Sequence, residues 1–309
     1  MKNFYRNGIS GLVATESQTD NCWMAIENPT ADDRNFLLNE LQIPEAFYND
    51  IEDTDERPRI EEEDGWHLII LRIPYKNNDS NLPFTTIPLG CIFKEGIFVT
   101  VCFHKTELLD DFVVHTQRKN INIQNHFDLV LKLLLSSSVW YLKYLKQINQ
   151  RIKLAEDHLE KSIKNEDLQA LMQLEKCLVF FITSIKGNDI LFHRIKNLKN
   201  EREHFDEDLL EDVDIELKQA QEMSNIYSNI LAGMMDAYAS VISNNLNVLM
   251  KRLTSVSIIL MIPTLIASLY GMNVPNELEN NPHGIWIVTC ASAILAMIGV
   301  LLFKKKNLF

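Results

Sequence analysis

LTSVSIILMIPTLIASLYGMNVPNELENNPHGIWIVTCASAILAMIGVLLF, residues 253–303, holds two runs without a formal charge, 253–270 and 285–303, separated by a polar loop. At 1.5 Å rise per residue each run makes a helix of about 27 to 29 Å, close to the roughly 30 Å hydrocarbon core of a bilayer. Uncharged runs of this length are rare in soluble domains, so two membrane helices are expected rather than a pair of buried core helices. Lys251 and Arg252 precede the first run and Lys304, Lys305 and Lys306 follow the second, whereas the loop carries Glu277 and Glu279 and no Lys or Arg. By the positive-inside rule both flanks face the cytoplasm and the loop faces out.

The formal net charge of the chain is −12. Three Lys against two Glu put residues 253–309 at +1, so the first 252 residues carry −13. A cytoplasmic part that acidic disfavours nucleic acid and anionic headgroups and attracts cations. MKNFYRNGIS has no apolar segment of the kind that directs export, so the large part is expected to stay cytoplasmic. The five Cys, at 22, 91, 102, 177 and 290, form no CxxC pair and read as reduced packing residues rather than disulfide partners or zinc ligands. The eight His make no HxxxH or HExxH, Ser136-Ser137-Ser138 has no base beside it, and no Gly-rich phosphate loop occurs. Neither an enzyme nor an organic cofactor is expected.

Upstream of the membrane, residues 1–125 mix short β-rich runs with helical pieces: CWMAI, PTADDRNFLLNEL opening at Pro29 and Thr30, WHLIILRIPY, and IPLGCIFKEGIFVTVCF, a hairpin broken at Lys94-Glu95-Gly96. This interleaving implies an α/β or α+β cytoplasmic domain. Residues 126–205 change to long helical periodicity and read as two antiparallel helices joined near Lys164-Asn165-Glu166. Residues 206–270 contain a single Pro, Pro263, and a single Gly, Gly233. If continuous they form a stalk of roughly 95 to 100 Å that enters the membrane without stopping, and Gly233 is the first place for a break. The loop 271–284, the second membrane helix 285–303 and a basic tail 304–309 complete the order.

At alternating steps of three and four, Asn247, Met250, Thr254, Ser257, Met261, Thr264, Ser268 and Gly271 fall on one face of the first membrane helix. Every Ser and Thr of 253–270 except Ser255 lies there. Hydroxyls in lipid need partners, so the stripe is expected to face protein or water. Two readings fit it: ordinary helix packing, and the lining of a pore. One stripe on one helix cannot enclose a channel, so the pore reading requires several copies around an axis. The second segment, with Thr289, Ser292 and small Ala and Gly residues, reads as a lipid-facing wrap.

Tyr270-Gly271-Met272-Asn273, at the outer end of the first of two C-terminal membrane helices, resembles the YGMN signature of the CorA-type divalent-cation channels. SNNLNVLMKRLT before the membrane, the tail KKKNLF, DIEDTDERPRIEEEDGWHLIILRIPY and CWMAIENPTADDRNFL are similar to further segments of that family. The resemblance implies a homopentamer in the cell (inner) membrane, with both termini cytoplasmic and a funnel of α/β domains above long stalk helices. It implies inward, potential-driven movement of Mg2+, with Co2+ and Ni2+ as surrogates. Carried over by motif, Asn273 forms a ring at the outer mouth, and Thr264, Met261, Leu253, Met250 and Asn247 line the path inward. Leu253 lies one residue of rotation off the stripe. Glu277 and Glu279 supply an outer field that concentrates cations. A regulatory Mg2+ between subunits falls to Asp50 and Asp212, while the family's second such site is not reproduced, with Asn49 and Asn149 or Gln150 at its acidic positions. Val274-Pro275-Asn276-Glu277-Leu278 departs from the two glycines of the zinc-transporting branch, so Mg2+ is favoured over Zn2+. The alternatives are a zinc transporter of the same superfamily and a non-conducting, membrane-anchored interaction protein.

Overall fold

The computed structural model describes residues 2–8, 11–16, 22–77, 82–161, 165–198, 205–272 and 282–305. The chain divides into two units, Met1–Gly233 and Met234–Phe309. In the first, strands β1 (Lys2–Gly8), β2 (Gly11–Thr15), β3 (Cys22–Glu27), β4 (Arg59–Glu63), β5 (Trp66–Lys76), β6 (Phe84–Lys94) and β7 (Ile97–Cys102) form one sheet in the order β2-β1-β3-β7-β6-β5-β4. Among the described residues only β3 and β7 pair in parallel. Helices α1 (Ala31–Asn35, running into a π-helical turn at Phe36–Glu40), α2 (Glu45–Glu52) and α3 (Glu107–Lys119) are interleaved with the strands, as the sequence pattern implies.

Local chemistry explains the punctuation. The Thr30 hydroxyl accepts from the Asp33 N–H while Asp33 accepts from the Thr30 N–H, a capping box that starts α1 where Pro29-Thr30 suggested. The β6–β7 hairpin turns at Glu95-Gly96, with Lys94 opposite Ile97. Strands β5 and β6 pair along their whole length, His67 opposite Phe93 through Lys76 opposite Phe84, and are buried almost throughout. They read as unbroken apolar runs rather than alternations because both faces of the sheet are covered. Leu68, Ile70 and Ile92 join Leu37, Phe47 and Ile51 of the α1–α2 side in one core cluster. The opposite face carries α4 (His126–Lys161) and α5 (Asn165–Lys196), which pack on β5 and β6. Gly90 of β6 sets the fit of α2, since a Cβ there would lie 2.1 Å from Ile51 Cδ1.

Helices α4 and α5 run antiparallel, with His158 beside Asp167 at one end, and Ser137, Tyr141 and Asn188 converging on the Arg72 carbonyl further along. The pair belongs to the same unit as the sheet. Helix α6 (Glu207–Tyr270) is helical without interruption through Gly233 and Pro263, so the break considered at Gly233 does not occur. In the first unit it buries Leu210, Val213, Leu217, Ala220, Ser224, Tyr227 and Leu231, at the steps of three and four of a core-facing stripe.

The second unit pairs the remainder of α6 with α7 (Gly284–Lys305). Gly284, Ser292 and Gly299 of α7 are buried, and a Cβ at Gly299 would sit 3.6 Å from Ile262 Cδ1 and 3.7 Å from Ile259 Cγ1. The small residues of α7 therefore form its contact with α6, while Ile285, Trp286, Ile294, Met297 and Leu301 point away and are exposed.

Candidate functional site

The α6 segment within the second unit has two distinct faces. Ser255 is buried, and Ile259, Ile262, Ile266 and Tyr270 are half-buried, at helical spacing on the side that meets α7. Asn247, Met250, Thr254, Ser257, Met261, Thr264, Ser268 and Gly271 are all exposed, as is Leu253 beside them. The hydroxyl stripe is thus not the packing surface between the two C-terminal helices of one chain. Ser255, the hydroxyl residue that the periodicity left off the stripe, is the one buried toward α7.

The hydroxyls are not unsatisfied. Ser257 Oγ donates to the Leu253 carbonyl and Thr264 Oγ1 to the Leu260 carbonyl, both at 2.9 Å. Each proton is held four residues back, which leaves oxygen lone pairs directed outward as acceptors. This weakens the expectation that every hydroxyl in the membrane needs an outside partner. What remains specific to the stripe is that acceptor oxygens alternate with the exposed apolar side chains of Met250, Leu253 and Met261. At its outer end the Gly271 N–H bonds to the Ala267 carbonyl at 2.9 Å, and Met272 is exposed. Asn273, Glu277 and Glu279 lie outside the described residues.

The two carboxylates expected to sense cytoplasmic ions sit on different elements. Asp50, near the end of α2, is held by Arg59 of β4, with Nη2 to Oδ2 at 2.6 Å. Arg59 also binds Glu61 at 3.1 Å and makes a close contact with Glu56. Burial pushes the Asp50 carboxyl above its ordinary pKa; Arg59 opposes this, while Glu56 and Glu61 add to it. Asp212 is exposed on α6, at the rim of a cavity of about 290 Å³ whose lining includes Asp111, His115, Lys132, Trp140 and Glu216. Asp50 is thus engaged by Arg59 of β4, whereas Asp212 borders side chains of α3 and α4, so within one chain the two carboxylates have different neighbours.

Two arginines that the sequence did not single out organise this region. Arg59 is the resident counter-cation of Asp50. Arg72, in the middle of β5, is buried and lowered in pKa by that burial. Its guanidinium donates to the Glu56 carbonyl at 3.2 Å, to the Thr54 carbonyl, and to both the carbonyl and hydroxyl of Thr86 at 2.8 Å. Asn188 of α5 bonds to the Arg72 backbone on both sides, at 2.9 and 2.7 Å. Arg72 therefore fixes the turn that follows Asp50 to the sheet and to α5 at once. A lone charge inside WHLIILRIPY was the available signal, because a buried guanidinium must find its acceptors inside the fold.

Comparison with known proteins bears on the chain and its fold as a whole. The family model described as CorA-like Mg2+ transporter protein matches residues 18–305. The Cobalt/magnesium transport protein CorA of Methanocaldococcus jannaschii is 28% identical over 265 residues, spanning 82% of this chain and 81% of its own. The Magnesium transport protein CorA of Helicobacter pylori is 24% identical over 314 residues, spanning 97% and 94%. Among solved structures, the complete CorA magnesium transporter from Methanocaldococcus jannaschii superposes with a TM-score of 0.80 at 24% identity, covering 98% of this chain and 97% of the other. A match that runs from the sheet through both C-terminal helices, on a chain with this order of elements, places it: the chain belongs to the CorA-like Mg2+ transporter family.

Proposed function

We propose that this chain conducts divalent cations, Mg2+ foremost, as a homopentameric channel whose pore is lined by the exposed stripe of α6. The observation that carries this reading is the division of labour on that helix. The face with Ser255, Ile259 and Ile262 is spent on α7, whereas Asn247 through Gly271 is left open for copies of itself around an axis. Membrane placement follows from length and apolarity, since both C-terminal helices are able to cross a bilayer and little of their apolar surface is buried.

Mg2+ holds its octahedral water shell tightly. A ring of Asn273 amides offers carbonyl acceptors to those waters and selects a hydrated ion by size and hydrogen bonding, with no fixed charge to trap it. Hydroxyl oxygens of Ser257, Thr264 and Ser268 continue the acceptor path, and Met250, Leu253 and Met261 form an apolar constriction able to dewet and close. Glu277 and Glu279 enrich cations at the mouth. Two charges crossing the full potential release about 4.6 kcal/mol per 100 mV, inside negative, so no chemical energy source is required.

Cytoplasmic Mg2+ held between Asp50 of one copy and Asp212 of the next would favour the closed state and be lost on depletion. Two carboxylates suit a hard cation that keeps most of its waters. Arg59 modifies the scheme, because Mg2+ must share or displace a guanidinium already seated on Asp50. Protein reconstituted into liposomes under an inside-negative potential should take up Mg2+. Absence of any Mg2+ flux from correctly assembled protein would end the channel reading in favour of a membrane-anchored interaction protein.

A further inference from the structure

Helix α5 places Asp189 and His193 one turn apart, and Asp214 of α6 comes to the same spot from the neighbouring helix. One carboxylate oxygen from each Asp and a ring nitrogen of the His lie within 4.8 Å of one another. The His193 Nε2 is 3.6 Å from Asp189 Oδ1. Among the described residues no other group of His, Cys, Asp and Glu is brought together in this way.

A second observation concerns the Asp214 carboxylate itself. Asp214 is bonded through one oxygen only, Oδ2, to Lys218 Nζ at 2.6 Å. Its Oδ1 is buried with no hydrogen-bond partner, the single such side-chain atom among the described residues, although the side chain as a whole is 25% exposed. A buried carboxylate oxygen without a donor is costly to leave unmatched. A cation supplies the match.

We propose that Asp189, His193 and Asp214 form a binding site for a borderline divalent transition ion of the Co2+, Ni2+ or Zn2+ class, stapling α5 to α6. The donor set decides the class. Mg2+ takes oxygen ligands and gives up water reluctantly, whereas an imidazole nitrogen with two carboxylates suits first-row transition ions. With ligand bonds of about 2.0 to 2.2 Å, donor atoms must lie roughly 3 to 4.3 Å apart, so a pair at the 4.8 Å limit has to close by about 0.5 to 1.8 Å, within reach of side-chain rotation. Lys218 is the built-in competitor: its ammonium holds the other oxygen of Asp214 and opposes a second positive charge. This site uses none of the stripe residues and neither Asp50 nor Asp212, and joins two helices within the first unit.

The test is Co2+ binding to the full chain in detergent, followed by visible absorbance and calorimetry in a millimolar excess of Mg2+ that saturates oxygen-only sites. One Mg2+-resistant Co2+ per chain is expected. His193→Gln should weaken it at least about tenfold, the scale on which metal sites respond even to changes around their ligands. Lys218→Gln should tighten it about two- to fivefold, by removing an exposed competing charge. A gain of affinity cannot come from misfolding. Co2+ binding that Mg2+ displaces completely, or that His193→Gln leaves unchanged, overturns the site. A loss in His193→Gln without a gain in Lys218→Gln overturns it too, because unfolding alone gives that pattern.

Discussion

Helices α5 and α7 are both long enough and apolar enough to cross a membrane, yet 39% of the most apolar stretch of α5 is buried against 6% for α7. The difference lies in what each face meets. On α5, Leu171, Leu174, Leu178, Phe181 and Ile185 are buried, and the helix packs on β5, β6 and α4. Phe181 stacks edge-on against Tyr141, and Ser184 shares a hydrogen bond of 2.8 Å with Thr86 of the sheet. On α7 the small residues Gly284, Ser292 and Gly299 meet α6, and the large ones are turned outward. Apolar length alone does not distinguish a core helix from a membrane helix. The distribution of bulk around the helix does: a core helix buries its large side chains, whereas a membrane helix buries its small ones and gives the large ones to lipid.

The largest effect should come from emptying the α5 core. Phe181→Ala should cost the first unit about 3 to 5 kcal/mol, since it removes a fully buried ring and leaves a cavity. Urea or thermal unfolding of the solubilised protein reads it, and a cost near zero would mean that α5 is not held by its buried face. Next comes the open face of α6. Asn273→Ala removes an acceptor ring without changing charge, so pentamers should persist while Mg2+ flux in liposomes drops by more than about tenfold, equivalent to roughly 1.4 kcal/mol. Retained flux would move the selectivity site elsewhere on the stripe.

A smaller shift is expected at Asp50. Arg59→Gln releases the carboxylate from a partly exposed ion pair worth about 0.5 to 1 kcal/mol. The Mg2+ concentration that protects the α6 stalk from proteolysis should then fall about two- to fivefold, and Asp50→Asn should abolish the shift. If Arg59→Gln changes nothing, the guanidinium does not compete with Mg2+ there. The smallest effect closes the comparison. Ile294→Ala on the outward face of α7 should change stability by less than about 1 kcal/mol, because lipid tails replace the lost contacts as well as protein did. A cost like that of Phe181→Ala would show that another protein surface covers this face.

By itself the sequence determined the elements that rest on local rules. Two uncharged runs of membrane length, a basic flank on each side, the Thr30 cap, the turn after Lys94 and the hydroxyl periodicity from Asn247 to Gly271 are all set by residues close together along the chain. Length, charge and period act over a few turns, so they can be read without knowing what lies across the fold. The pairing of Asp50 with Arg59, the grip of Arg72 on the turn after Asp50 and on Asn188, and the meeting of Asp189 and His193 with Asp214 were decided only by the tertiary structure. Each joins different elements, and the last two join residues far apart in the chain. The sequence shows only that such charges exist. Which of them become partners depends on how α2, α5 and α6 pack, and that packing is fixed by buried apolar contacts such as Ile51 against Gly90, not by the charges themselves.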